Sequence, residues 1–309
     1  MTEIHVNSRL SDGERRARLY AGGLFLFQPH PAVRALAEHA RGMIEAAFAP
    51  HDPQRLHEVM TAEACVAVLA ELKPAFIHDP RSKALIRELL TAFGCAPETT
   101  YFDVPRLRSA FPAHFLSAGL AYAFHPHRDT WYSAPFCQQN WWLPVYDFGP
   151  GNGLAFHPKY WTHPLRNGSR HYNYYRWNAQ ARGAAAEQVK TDTRPQPKAK
   201  EPVELAPDLR PIVEAGGVIL FSAAQLHSTV ANTTTRVRWS IDFRVVDAED
   251  ARRRLGAPNI DSESTGTTMR DYLRVSDLSR LPDEIVALYD DGVPEGGLAL
   301  WPAGEAAPA

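Results

Sequence analysis

Four residues in this 309-residue chain carry side chains suited to one piece of chemistry: His127 and Asp129 lie two apart, His227 follows after a long gap, and Arg238 comes eleven residues later. Two imidazoles and one carboxylate form a donor set that suits a non-haem Fe(II) centre with coordination positions left open. An arginine presents a planar fork of donors that matches a carboxylate, so Arg238 is the candidate for holding a dicarboxylate cosubstrate. His-x-Asp alone is a short pattern, and 13 histidines supply such patterns by chance. The separation 227 − 129 = 98 leaves it to the fold to bring the three groups together.

The elements that must position them differ along the chain. Residues 1–98 read as mostly helical after an apolar stretch at Leu24–Phe27. Pro31 opens a segment in which Val33, Leu36, Ala37, Ala40, Ile44 and Ala47 follow the spacing of one buried helical face. A second helical start stands at Asp52-Pro53 and is expected to end before Pro74. A third runs from Asp79-Pro80, with Leu85, Leu89, Leu90 and Phe93 on one side, to Gly94.

From residue 99 to 246 the composition turns to short aromatic and β-branched runs broken by Pro, Gly and Asn. Strands are expected at 118–124, 138–146, 153–157, 217–222 and 236–246. On the last, Arg236, Arg238, Ser240, Asp242 and Arg244 share one face, while Val237, Trp239, Ile241, Phe243 and Val245 share the other. The apolar face is expected to meet the N-terminal helices, and the polar face to look into solvent or into the lumen of a barrel.

Residues 161–210 read as an insertion. Arg166, Arg170, Tyr172, Tyr174, Tyr175, Arg176 and Trp177 crowd its first half, which is suited either to clamping an anionic substrate or to packing on a barrel rim. Its second half, rich in Pro, Lys and Glu, reads as an irregular, lid-like loop. Residues 247–309 form a C-terminal extension whose Ala/Pro-rich end reads as a loosely packed tail.

Composition narrows the partners. Lys+Arg 33 against Asp+Glu 35 gives a net charge of −2, which offers no electrostatic attraction for nucleic acid or an anionic membrane. A small molecule is the expected partner. The opening MTEIHVNSRLSDGERR has no apolar core behind a basic end, so a cytoplasmic protein is expected. Cys65, Cys95 and Cys137 are odd in number and widely spaced, the pattern of reduced, structural thiols.

Taken as blocks, these residues resemble the Fe(II)- and 2-oxoglutarate-dependent oxygenases, most closely their phytanoyl-CoA dioxygenase-like branch. His127-Arg128-Asp129 looks like the family's His-x-Asp. Trp141-Trp142-Leu143-Pro144-Val145 followed by Gly151-Asn152-Gly153-Leu154 is similar to its Trp and Asn-Gly-x-Leu strand pair. Gly216–Phe221 running to Leu226-His227-Ser228 resembles the strand before the distal histidine, with Asn232 and Arg238 at the branch's spacing of five and eleven beyond it. The likeness covers about residues 100–246 and departs from the family twice. Gly217 stands where an acidic residue is usual, and His157-Pro158-Lys159-Tyr160-Trp161 replaces a Pro-Gly-Ser-His segment.

The resemblance implies a single oxygenase domain built on a double-stranded β-helix (jelly roll, mainly β with helical additions) whose N-terminal helices pack on one sheet. It assigns His127, Asp129 and His227 to iron. Arg238, Trp142, Asn140 and Ser240 fall to 2-oxoglutarate, with Arg236 as the rival arginine. It further implies O2 as co-reactant and hydroxylation of an unactivated C–H, with succinate and CO2 as coproducts. Asp129 stands where related halogenases carry a small residue, which favours oxygenation. Two alternatives stay open: the same iron site catalysing desaturation, cyclisation or epimerisation, and a non-catalytic jelly-roll binding protein.

Overall fold

The computed structural model describes residues 2–121, 125–180, 185, 187–188 and 192–290, so the expected C-terminal tail and part of the insertion lie outside the described residues. The N-terminal third interleaves strands with helices. β1 (Ile4–Val6), α1 (Asp12–Tyr20) and β2 (Leu24–Phe27) come first, then α2 (Pro31–Phe48), α3 (Leu56–Val59), α4 (Ala62–His78) and α5 (Pro80–Ala92). Local chemistry sets the helix ends. Ser11 and Glu14 form a capping box on α1, and His30 and Asp79 cap α2 and α5 ahead of a proline in the first turn.

The remaining strands are β3 (Thr100–Phe102), β4 (Arg106–Ala110), β5 (Gln139–Pro144), β6 (Leu154–Phe156), β7 (Val218–Ser222), β8 (His227–Thr229), β9 (Arg238–Asp247) and β10 (Leu273–Arg274). Three short helices complete the set: α6 (Tyr174–Gln180), α7 (Ala248–Arg252) and α8 (Asp283–Val286). The major sheet runs β1-β2-β7-β5-β9-β3-β10, with β4 beside β3 along the same edge of β9. Among the described residues, only β1 and β2 pair in parallel in this sheet. A minor sheet pairs β6 with β8 and is extended by bridges from His127 to His227 and from Phe156 to Leu209. The two sheets make a jelly roll, mainly β, with helices against the major sheet.

Period-two alternation divides the interior into two layers. Trp141, Leu143, Leu220, Trp239, Ile241, Phe243 and Val245 face α2, α4 and α5 and join Leu36, Ile44, Leu69, Phe76, Leu85 and Leu89 in one core. Each such fully buried side chain contributes about 1.5–3 kcal/mol relative to exposure. Trp142, Leu154, Phe156, Ile219 and Phe221 form a second cluster between the sheets. The polar residues of β9 therefore look inward, into the space between the sheets, and not to solvent.

Two expectations are corrected. The strand expected at 118–124 is absent from its described part, where Gly119–Ala121 form a 3-10 turn, and residues 122–124 lie outside the described residues. β4 pairs with β9 although no strand is expected there, because its Arg-Leu-Arg-Ser-Ala has little strand character until paired. The helix expected to stop before Pro74 runs through it: α4 buries Leu69, Leu72 and Phe76 on both sides of the proline, and that burial outweighs one missing backbone hydrogen bond.

Candidate metal centre and its cavity

His127 and His227 are fixed to each other before any ligand is considered. Their backbones exchange two hydrogen bonds, each 3.0 Å, and their rings lie 4.4 Å apart between centroids. Asp129 opens a 3-10 turn, and its N–H donates to the Ala223 carbonyl at 2.9 Å, which ties the His127–Asp129 segment to the turn leading into β8. Arg128, between the two ligand candidates, points the opposite way. It is 1 % exposed, pairs with Asp261 at 3.1 Å and donates to the Ala224, Tyr160 and His163 carbonyls. Its anchoring helps aim His127 and Asp129 together.

The tautomers follow from the partners. His127 Nδ1 lies 2.7 Å from the His125 carbonyl and His227 Nδ1 lies 3.0 Å from the Gln225 carbonyl. A carbonyl only accepts, so each Nδ1 carries the proton and each Nε2 keeps its lone pair. Both Nε2 atoms converge on Asp129 Oδ1, at 3.3 Å and 4.0 Å. Among the described residues these three form the one group of His, Cys, Asp or Glu able to hold a metal ion, their donor atoms lying within 4.8 Å of one another. Two lone pairs and a carboxylate oxygen aimed at one point fit a divalent cation.

Charge agrees with that geometry. Burial alone would raise the Asp129 carboxyl, but its contact with the His127 ring and the nearby Arg244 guanidinium override it and hold it well below the usual carboxylate range. Burial, reinforced by His127, pushes His227 down to about 4, so the ring is neutral and available as a ligand at ordinary pH.

A buried amide chain aims the carboxylate. Asn140 Nδ2 donates to Asp129 Oδ2 at 2.8 Å; Gln138 Nε2 donates to the same oxygen at 3.3 Å and to Asn140 Oδ1 at 2.8 Å; Tyr272 Oη donates to Gln138 Oε1 at 2.8 Å. Oδ2 is thereby engaged and Oδ1 is left toward the imidazoles. Asn140, expected to contact a cosubstrate, lines the cavity but commits its amide to Asp129.

The triad opens into a cavity of about 780 Å³. Trp142 and Arg238 line it, the Arg238 guanidinium lying 5.5 Å from the Trp142 ring centre. Arg238 is 5 % exposed, donates from Nε to the Asn152 carbonyl at 3.0 Å and from one terminal nitrogen to Ser240 Oγ. Ser240 is fully buried beneath it and braces the guanidinium. Burial, opposed by Asp242 and helped by Arg108, lowers Arg238 to about 10, and it stays charged. Arg236, on the same strand face by alternation, is exposed beyond the start of β9 and reaches Gln54.

The structure also sorts the other residues raised by the sequence. Tyr172, Tyr174 and Trp177 line the cavity, whereas Arg166 and Arg170 are exposed and pair with Glu201 and Glu263. Of the histidines that the sequence puts near the cavity mouth as candidates for substrate contact, His157 is buried against Ser228 Oγ, while His163 and His171 are exposed, and none of the three lines the cavity. The cysteines are free and buried. Gly217 has a steric reason: a Cβ there would stand 2.6 Å from the Phe27 carbonyl oxygen and 2.9 Å from Val213 Cβ. Sequence reasoning missed Gln138 and Tyr272, which aim Asp129, and Lys73 and Arg108, which line the cavity. Gln138 was within reach of it, two residues before Asn140 on the face that continues to Trp142.

No family model matches the chain, and no curated protein matches it. Solved structures do. The chain is similar to EvdO2 from Micromonospora carbonacea var. aurantiaca (14 % identity, 77 % of this chain and 91 % of that one, TM-score 0.44). It is also similar to AviO1 from Streptomyces viridochromogenes Tue57 (15 %, 78 % and 97 %, 0.40). A third is the non-haem α-ketoglutarate-dependent epimerase SnoN from nogalamycin biosynthesis (16 %, 77 % and 84 %, 0.36).

Proposed function

We propose that the chain is an Fe(II)- and 2-oxoglutarate-dependent oxygenase that hydroxylates an unactivated C–H of a small molecule. The observation that carries this reading is the convergence of two Nε2 lone pairs and Asp129 Oδ1 on a cavity that also presents the buried Arg238, which forms no salt bridge among the described residues. His127, Asp129 and His227 would hold the metal through those three atoms. Bound there, Fe(II) supplies activation of O2 at the expense of 2-oxoglutarate, with succinate and CO2 as coproducts.

The chain's own residues do the rest. Arg238, braced by Ser240 and the Asn152 carbonyl and stacked near Trp142, offers its remaining N–H donors to the far carboxylate of the cosubstrate. Asn140 and Gln138 keep Asp129 from turning its second oxygen to the metal, which preserves open positions. Tyr132, Tyr172, Tyr174 and Trp177 wall the cavity, excluding water and giving a substrate flat surfaces to lie against. Among the described residues no helix is long and apolar enough to cross a membrane.

The test is turnover of 2-oxoglutarate with Fe(II) and air. Succinate formed only when both are present supports the reading, and its absence from wild-type protein refutes it. With a substrate in hand, a gain of one oxygen marks hydroxylation; a loss of two hydrogens or an unchanged mass marks desaturation or epimerisation.

A further inference from the structure

The cavity holds more positive charge than the proposed cosubstrate consumes. Arg244 is matched by Asp103 at 3.2 Å, Arg106 by the same carboxylate at 2.6 Å, Arg108 by Asp242 at 2.5 Å and Arg194 by Asp192 at 2.5 Å. Two cations lining the same cavity have no carboxylate within 4.0 Å among the described residues: Arg238 and Lys73. Lys73 is 8 % exposed, and its ammonium donates to the Leu120 carbonyl. A buried ammonium with one neutral acceptor is costly to keep unless an anion joins it.

We propose that Lys73 is the docking point for an anionic group, a carboxylate or a phosphate, on the substrate itself. This rests on the oxygenase reading above. In that reading one carboxylate of 2-oxoglutarate goes to the metal and the other to Arg238, so the cosubstrate leaves Lys73 without a partner. The substrate is then a small acid whose anionic end sits under α4 and whose reacting carbon lies toward His127 and His227. Tyr172, Tyr174 and Trp177 supply the apolar wall of the same cavity.

Electrostatics at Lys73 fits a site that charges on binding. Burial, reinforced by Arg108 and Arg238 and opposed by Asp242, pushes the amine down to about 7, so an arriving anion strengthens its hold on the proton. Those three groups on β4 and β9, with His78 on α4 at the cavity wall, are the charged or titratable neighbours that matter.

The experiment is calorimetric titration of benzoate, with benzamide as its uncharged twin, into the full chain with and without Mn(II) and saturating 2-oxoglutarate. Wild type is expected to bind benzoate in preference to benzamide. Lys73→Met should weaken benzoate by about tenfold or more, the loss of one charge-assisted hydrogen bond, while Lys73→Arg restores most of it. The affinity for 2-oxoglutarate should stay within about twofold in all three proteins, since that affinity is assigned to Arg238. The proposal is overturned if Lys73→Met binds benzoate as wild type does, if wild type does not distinguish benzoate from benzamide, or if Lys73→Met loses 2-oxoglutarate instead. Failure of wild type to bind 2-oxoglutarate would refute the oxygenase reading separately, and the titrations without cosubstrate would still decide Lys73.

Discussion

Asn140 donates its side-chain amide to Asp129 Oδ2 at 2.8 Å, across eleven residues of sequence and from a different element, so the carboxylate proposed as a metal ligand is aimed by a strand of the major sheet. Asn140→Leu keeps the volume and removes the donor. Metal affinity, read by Mn(II) titration, is expected to fall by about 10–100-fold, the usual effect of losing a partner behind a ligand. An unchanged affinity would show that Gln138 alone suffices.

Arg238 and Arg236 separate cleanly. Arg238→Ala should raise the KM for 2-oxoglutarate by about 30-fold or more, because it removes a buried cation from a charged contact. Arg238→Lys should recover little of this, since an ammonium cannot reproduce the planar fork. Arg236→Ala, at an exposed position bonded to Gln54, should leave KM within about twofold, as surface changes usually do.

The separation of those arginines was legible in advance only in part. Strict alternation along 236–246 placed the apolar face correctly against the helices, but it put both arginines on the polar face; only the start of β9 at Arg238 divides them. The 138–146, 153–157 and 217–222 runs read as strands because they are short, apolar and partly aromatic or β-branched, and are bounded by Pro, Gly and Asn. The pairing of β4 with β9 was not legible, since two arginines and a serine look like a loop until a partner strand and Asp242 are seen beside them. Tyr272 reaches Gln138 across 134 residues, a contact that periodicity cannot carry. Lys73 was hidden because Pro74 suggested that the helix had ended.

Stability of the metal-free protein should depend on pH through His227. Its folded value, pushed down to about 4 by burial and then by His127, lies below the ordinary 6.5, so between those values the unfolded chain binds a proton that the folded one refuses. Stability is therefore full above about pH 6.5 and declines as pH falls toward 4, by about 3 kcal/mol at most. Asp129, held low, adds a further loss only below its unfolded range. Urea unfolding from pH 7.5 to 4.5 measures this, and His227→Gln should flatten the profile. Parallel profiles would contradict the assignment.

Gly217→Asp restores the acidic residue that the resembling family carries and should destabilise this protein. Its Cβ would enter contacts of 2.6 Å with the Phe27 carbonyl oxygen, 2.9 Å with Val213 and 3.0 Å with the Glu214 carbonyl oxygen. Overpacking of this kind costs about 1–3 kcal/mol, before any cost of burying a carboxylate beside two carbonyls. Urea unfolding of the variant is the measurement, and a stability equal to wild type would mean that β2 and the turn before β7 shift freely.

The central claim, that His127, Asp129 and His227 hold Fe(II) beside a 2-oxoglutarate site, is tested most directly by optical spectroscopy without oxygen. Adding Fe(II) and then 2-oxoglutarate to wild-type protein is expected to produce a visible metal-to-ligand charge-transfer band, lost in His127→Ala and Asp129→Ala and requiring far more cosubstrate in Arg238→Ala. No band in wild type, or an Asp129→Ala protein indistinguishable from it, would contradict the account.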